Sequence, residues 1–534
     1  MGAHSGPFEV ISNAGERPVR DNLQFMEQFR HALGSVLGKP DLKLVWPVRL
    51  VVLRGGHGST IALGRDARMA SVSENEPLTG AFAMQLTRLL LDENTRRMPD
   101  GIEQGLIALF STLAVSGTHI TIGAEPPAAL RTRDWARLHM LITDANTLGE
   151  VKVMMSNLEQ GADLDVALRN AFQKNGKQIE QQLDAYLSAG KFGTGTISGR
   201  PLSPTRDLRV RQMDAGDGRL ARADLELAAG EAGAEAEYRA IHGAEADDGL
   251  GLALLRAGKK PEAAEVLAGA VKQGSHNART YVEVARAESD KTKKRALLDR
   301  AAELNPLWAE PSFEMVQGEA GPVGRAGRLK KAAELDPRNA RYWQMLALAD
   351  MEGNQFVDAG KAWANAEKAA ANPEERERIR QARVGVEGAR ADFESEERKR
   401  RLEEEARELD RLKNASLAEI HAAEAKANKA LNPESAGSVN NPVRWEDLDV
   451  TAAMEGQLER VDCRGRGAQL TVAGADGKKV RLAIADLSQV GVLGGDGKVR
   501  CGVQTPGPRV GIQYAPKPNA KTGVLGQVVV IEYK

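Results

Sequence analysis

Side chains able to do chemistry are thinly spread in this 534-residue chain. Its eight histidines are His4, His31, His57, His119, His139, His242, His276 and His421. No two stand one helical turn apart, the spacing that aims two imidazoles at one metal ion. Cys463 and Cys501 are the two cysteines, with no Cys-x-x-Cys and no accompanying histidine to generate a thiolate. Gly55-Gly56-His57-Gly58-Ser59 has the small residues of a phosphate or nucleophile loop. It lacks the lysine of the first and the Gly-x-Ser-x-Gly order of the second, so a turn between strands explains it better. The outline of a site is strongest in two helical stretches, Ala83 to Leu91 and Met98 to Phe110. The first presents Met84, Gln85 and Arg88, and the second presents Gln104. A thioether and a guanidinium that never deprotonates cannot replace two imidazoles on zinc. Nor can the Gln85 amide take a proton from water as a carboxylate would.

These stretches and their surroundings resemble the peptidase MA-like gluzincin domains often fused to tetratricopeptide repeats. Besides the two stretches, the resemblance is carried by Leu109-Phe110-Ser111-Thr112, by Thr118-His119-Ile120-Thr121-Ile122-Gly123, and by Asn157-Leu158-Glu159-Gln160-Gly161 leading into Ala167 to Phe172. In that family one helix carries His-Glu-x-x-His and a second supplies a Glu ligand within Glu-Gly-Leu-Ala. Here those slots hold Met84, Gln85, Arg88 and Gln104-Gly105-Leu106-Ile107. The resemblance therefore implies a gluzincin-like body without metal, cofactor or catalytic residues. Arg88 is expected to bridge to Glu103 within the old cleft; in an open cleft it would bind a peptide C-terminus or another anion. The resemblance also points to an exported bacterial protein.

The elements that must position these residues follow from periodicity. Phe8 to Ser12 and Val48 to Leu53 read as strands, and Leu23, Phe25, Met26, Phe29, Leu33 and Val36 form one helical stripe. A first site helix is expected near 79–92 and a second opening at Pro99, followed by a strand from Thr118 and a short helix from Asp134 to Leu141. A helical pair from Leu148 to Leu187 closes an α+β domain over residues 1–192. Gly-, Ser- and Pro-rich residues 193–218 read as a linker or surface arm. Residues 219–390 read as an all-α tetratricopeptide-type solenoid of three or four repeats, the middle ones shortened. Leu250, Gly251, Leu254, Ala263 and Leu267 occupy its small and large packing slots, as do Trp343, Leu346, Ala347, Ala359 and Trp363. A long charged helix over 391–431 extends it, with leucines too sparse for a coiled-coil seam. After a second linker, 432–446, period-two patterning over 447–534 and an Asp476-Gly477 turn predict a small all-β barrel or sandwich.

Charge is balanced, with 73 Lys+Arg against 74 Asp+Glu, which gives no electrostatic case for nucleic acid. No apolar run is long enough to span a bilayer, and Met1 to Pro7 lacks the regions of a signal peptide. The location expected is periplasmic or secreted with its export signal removed; the alternative is cytoplasmic. Cys463 and Cys501 suit a disulfide in an oxidising compartment, or equally two buried thiols. The chain thus reads as a non-catalytic interaction scaffold that binds protein or peptide through its repeats. Binding candidates are Arg88 and the repeat aromatics Tyr342, Trp343 and Trp363, most of which are expected to serve core packing rather than ligand contact. One alternative is an active zinc peptidase with non-standard ligands, and another is a structural component of a cell-envelope or secretion assembly. No oligomeric state follows from these features.

Overall fold

The computed structural model describes residues 1–431 and 452–534. The expected linker at 432–446 and the start of the expected β domain at 447–451 lie outside the described residues. The chain falls into two compact units, Met1–Glu405 and Ala406–Lys534.

The first unit opens with a five-stranded mixed sheet built from β1 (Gly2–Ser5), β2 (Phe8–Ser12), β3 (Val48–Leu53), β4 (Ala62–Leu63) and β5 (Arg68–Ser73). The spatial order is β1-β2-β3-β5-β4; β2, β3 and β5 are parallel, and the two edge strands are antiparallel. The crossover from β2 to β3 is α1 (Glu16–Leu37), a length a parallel connection needs. α1 ends at Gly38, whose φ of 71° lets its N–H turn back to the Gly34 carbonyl. Two helices follow β5: α2 (Ala81–Asn94) and α3 (Asp100–Phe110). Phe8, Val10, Leu50 and Val72 of the sheet pack with Leu23 and Phe29 of α1, Leu86 of α2 and Phe110 of α3 in one buried core. β6 (Ala114–Ser116), β7 (His119–Ile122) and β8 (Gly195–Ser198) form a second, antiparallel sheet. Between β7 and β8 lie α4 (Arg133–Ile142), α5 (Leu148–Glu159), α6 (Leu164–Phe172) and α7 (Gly176–Ala189).

Two expectations are corrected here. The helical pair at 148–187 is three helices, because Gly161 and Gln173 take positive φ and break it twice. The linker at 193–218 is tied into the first body. β8 lies within it, Leu208 is buried, and Gly2 and Arg211 exchange two backbone hydrogen bonds.

Ten helices continue the unit: α8 (Ala215–Ala229), α9 (Gly233–Arg239), α10 (Ala244–Arg256), α11 (Lys260–Lys272), α12 (Ala278–Ala287), α13 (Lys291–Leu304), α14 (Glu310–Glu314), α15 (Gly321–Leu335), α16 (Ala340–Glu352) and α17 (Phe356–Ala369). They stack as consecutive hairpins, the shortest helices being α9 near the start and α14 further along. Small residues allow the close crossings: a Cβ at Gly251 would lie 2.3 Å from Leu267. α18 (Pro373–Leu431) then runs on as one 59-residue helix, of which the expected charged helix is the second half. Its Leu402, Leu409 and Leu412 are exposed.

The second unit carries β9 (Ala452–Arg464), β10 (Gly467–Gly474), β11 (Lys479–Ile484), β12 (Gly491–Leu493), β13 (Gly502–Val503), β14 (Arg509–Ala515) and β15 (Val524–Tyr533). β9 pairs with β10, β10 with β11, β11 in parallel with β15, β15 with β14, and β14 again with β9. The pairings return to their starting strand and enclose Leu458, Leu470, Leu482, Ile512 and Ile531. The Asp476-Gly477 turn joins β10 to β11, with Gly477 at φ 75°. Cys463 and Cys501 are joined as a disulfide, their Cα atoms 5.7 Å apart. Purified protein unfolded without reductant is therefore expected to take up no iodoacetamide. Mass spectrometry showing two alkylated cysteines would contradict the pairing.

Candidate functional site

Both site helices form where expected. Gly80, at φ 73°, turns the chain into α2, and Pro99 precedes α3, whose first turn carries Asp100 and Glu103 where the helix dipole favours carboxylates. Arg88 and Gln104 are exposed, and Met84 and Gln85 are half-buried. The Gln85 Oε1 accepts from the Ile61 N–H at 2.7 Å, which ties α2 to the residue preceding edge strand β4. Arg88 makes no bridge to Glu103, which corrects the expected pair. Glu103 is one position from the Gln104 slot and points to another side of α3. Its Oε1 accepts from the Met98 N–H at 2.7 Å. Among the described residues no three His, Cys, Asp or Glu are grouped to hold a metal ion.

The partner of Glu103 comes from the repeats. Arg338, in the turn between α15 and α16, enters the helix pair with its side chain 6% exposed. Its guanidinium donates to both Glu103 oxygens, at 2.7 and 3.1 Å, and to Asp92 Oδ1 at 2.6 Å. It also donates to the Thr95 carbonyl at 3.0 Å and Thr95 Oγ1 at 2.8 Å. A planar fork of five donors suits this set, where a lysine ammonium could not reach all the acceptors.

Other repeat turns do the same. Asn277 Nδ2 donates to the Arg65 carbonyl at 3.2 Å, and Arg279 donates to the Gly64 carbonyl. Asn305 Nδ2 donates to the Val45 carbonyl at 2.8 Å, beside an edge-to-face contact of Trp46 with Trp308 at 5.2 Å. The inter-hairpin turns of the solenoid thus read main-chain carbonyls of the α+β body. Such contacts recognise backbone position more than side-chain identity.

A buried ionic cluster fastens the same body to the first repeat helices. Asp224 of α8 is fully buried. It accepts from Tyr238 Oη at 2.5 Å, Arg65 Nε at 3.0 Å and Arg49 Nη1 at 3.0 Å. Arg49 also binds Glu9 and Asp66. Burial opposes ionisation of Asp66, but Arg65 and Arg49 outweigh it and hold its carboxyl below the usual range. Burial, reinforced by Asp224, pushes the Tyr238 phenol up. Asp248 of α10, buried and accepting from Ser275 and Thr280, is pushed up to about 6 by desolvation.

The repeat aromatics lie in the core and do not form an open binding face. Tyr342, Trp343 and Trp363 are each 6–7% exposed. Tyr342 Oη donates to Glu310 and Trp343 Nε1 to the Pro337 carbonyl. Arg338, Asn277, Asn305 and Asp224 were absent from the sequence-derived candidates. The available signal was polar residues recurring in successive turns, as in Asn305-Pro306 and Asp336-Pro337-Arg338.

A buried histidine gives the α+β body a pH signature. His139 Nε2 bonds the Gly123 carbonyl at 2.7 Å, so it carries the proton, and Nδ1 accepts from Tyr186 Oη at 2.7 Å. Burial holds this imidazole below its ordinary value, with Gly123 and Glu125 pulling less strongly the other way. The unfolded chain then binds the extra proton first, so stability is full above about pH 6.5 and falls as the medium becomes more acid. The slope is at most about 1.4 kcal/mol per pH unit from this group. Chemical denaturation of the parent and of His139→Gln at pH 7.5 and 5.5 should show a smaller acid loss in the variant.

No protein-family model and no curated protein matches the chain. Similar solved structures cover about a third of it. A crystal structure of MamA is 21% identical, spans 30% of this chain and 96% of its own, and gives a TM-score of 0.24. YrrB, described as a TPR protein with an unusual peptide-binding site, is 16% identical over 30% of this chain and 90% of its own, with a TM-score of 0.26. PilF of Pseudomonas aeruginosa is 16% identical over 34% and 88%, with a TM-score of 0.27.

Proposed function

We propose that this chain is a non-catalytic protein-interaction scaffold, in which a metallopeptidase-like body has become a docking partner of the repeats. The reading is carried by the use made of Glu103. The carboxylate beside the second ligand slot is consumed by Arg338, while the slots themselves hold Met84, Gln85, Arg88 and Gln104. A mixed sheet with an antiparallel edge strand, followed by two neighbouring helices, supports the gluzincin-like frame. Consecutive helix hairpins support protein or peptide as the partner, since such arrays present extended surfaces. The Cys463–Cys501 pairing supports an oxidising, extracytoplasmic location. Elemental analysis of metal-saturated, dialysed protein should find less than about 0.1 zinc per chain, against the full occupancy that a three-ligand site retains. Casein should remain intact with and without chelator. One zinc per chain together with chelator-sensitive cleavage would restore the peptidase alternative.

A further inference from the structure

The helix α18 packs one side on the repeats and leaves the other bare. Ile379 and Val386 belong to the core of the last repeats, and the Phe393 ring lies 5.5 Å from that of Phe356 in α17. Leu402 comes two and a half turns after Phe393, so it points the opposite way. Val384 and Ile420 each stand five whole turns from Leu402, and Leu409 follows it two turns on. These four are between 48% and 71% exposed. They draw an apolar line about 55 Å long down one side of the helix. Its period is that of a straight helix and not of heptads.

The charges beside this line identify what covers it. Arg398-Lys399-Arg400-Arg401 comes directly before Leu402, and Glu403-Glu404-Glu405 directly after. Cation before anion is the weaker order for pairs one turn apart in a single helix. Arg401 pairs back to Glu397 at 3.4 Å, and Arg398, Lys399, Glu403 and Glu405 form no ion pair among the described residues. A second copy reversed about Leu402 exchanges the two blocks. Arg398 then shares a flank with Glu405 of the partner subunit, about 1.5 Å away along the axis. Lys399 shares the other flank with Glu403 of the partner subunit, about 3 Å away along the axis. Two-fold symmetry forms each pair twice. A parallel copy in register would set the basic block against itself.

We propose that two copies of this chain associate through α18, antiparallel and centred on Leu402. Leu402 meets Leu402 of the partner subunit, Leu409 meets Ser395 of the partner subunit, and Val384 meets Ile420 of the partner subunit.

Sedimentation equilibrium of the full chain tests this. At low ionic strength a dimer with a Kd below about 100 µM is expected. Roughly 0.5 M salt should weaken it at least about tenfold. The double variants Arg398→Glu/Lys399→Glu and Glu403→Lys/Glu405→Lys should each be monomeric, and mixing them should restore a dimer. These four positions are exposed, so the folded state does not depend on them. Ser395→Cys and Leu409→Cys chains should cross-link to one another when mixed, and neither to itself. A monomer at every concentration, a dimer that the double variants leave intact, a mixture that stays monomeric, or self-cross-linking of either cysteine variant would overturn the proposal.

Discussion

Replacing Asp224 by alanine is expected to cost about 3–5 kcal/mol of stability, the usual effect of removing one partner from a buried ionic cluster. Arg65 and Arg49 lose the carboxylate that lies between them, and the Tyr238 hydroxyl loses its acceptor. Glu9 and Asp66 remain, so neither arginine is stranded completely. Tyr238→Phe removes one hydrogen bond and should cost only about 1 kcal/mol. Urea denaturation separates the two cases. A loss below about 1 kcal/mol for Asp224→Ala would mean that the cluster is solvated and that α8 is held by apolar contacts instead.

Arg338→Met should have the second largest effect, about 3 kcal/mol. Methionine keeps the apolar stem and removes every donor. Glu103 is then left largely buried without a cation, and the Thr95 carbonyl without its donor. Arg338→Lys should recover less than half of the loss, because an ammonium cannot reproduce the two-pronged contact. The loss should be local. Hydrogen exchange should quicken across α2, α3 and the intervening Thr95 turn, while α10 to α13 stay protected. Uniform quickening throughout the unit would show a general destabilisation and no specific joint.

Most of the frame could be read from residue patterns. The 3.6-residue stripe ending at Val36 and the β-branched run at Val48–Leu53 each dictate one element, and both formed as expected. β4 and β8 were hidden for physical reasons. β4 is two residues long, and β8 lies in a Gly- and Ser-rich stretch whose pairing with β7 is set by tertiary contact. The Arg88–Glu103 bridge expected within the old cleft does not form: Arg88 is exposed on α2, and Glu103 pairs with an arginine 235 residues away. Arg338 is illegible in the sequence because a turn residue after Pro337 looks solvent-exposed until the body that it enters is in place. Trp343 and Trp363 sit in the packing slots that the repeat pattern marks, and Tyr342 stacks on Phe313 of α14 with ring centroids 4.9 Å apart.

Under the proposed function, the α2–α3 pair keeps the frame of a metal site whose ligands have been replaced. Restoring them together tests it most directly: Met84→His, Gln85→Glu, Arg88→His and Gln104→Glu in the full chain. The folded variant is expected to retain one zinc per chain after dialysis and the parent none, with a cobalt-substituted sample showing the absorption of a tetrahedral site. A folded quadruple variant that holds no more metal than the parent would contradict it.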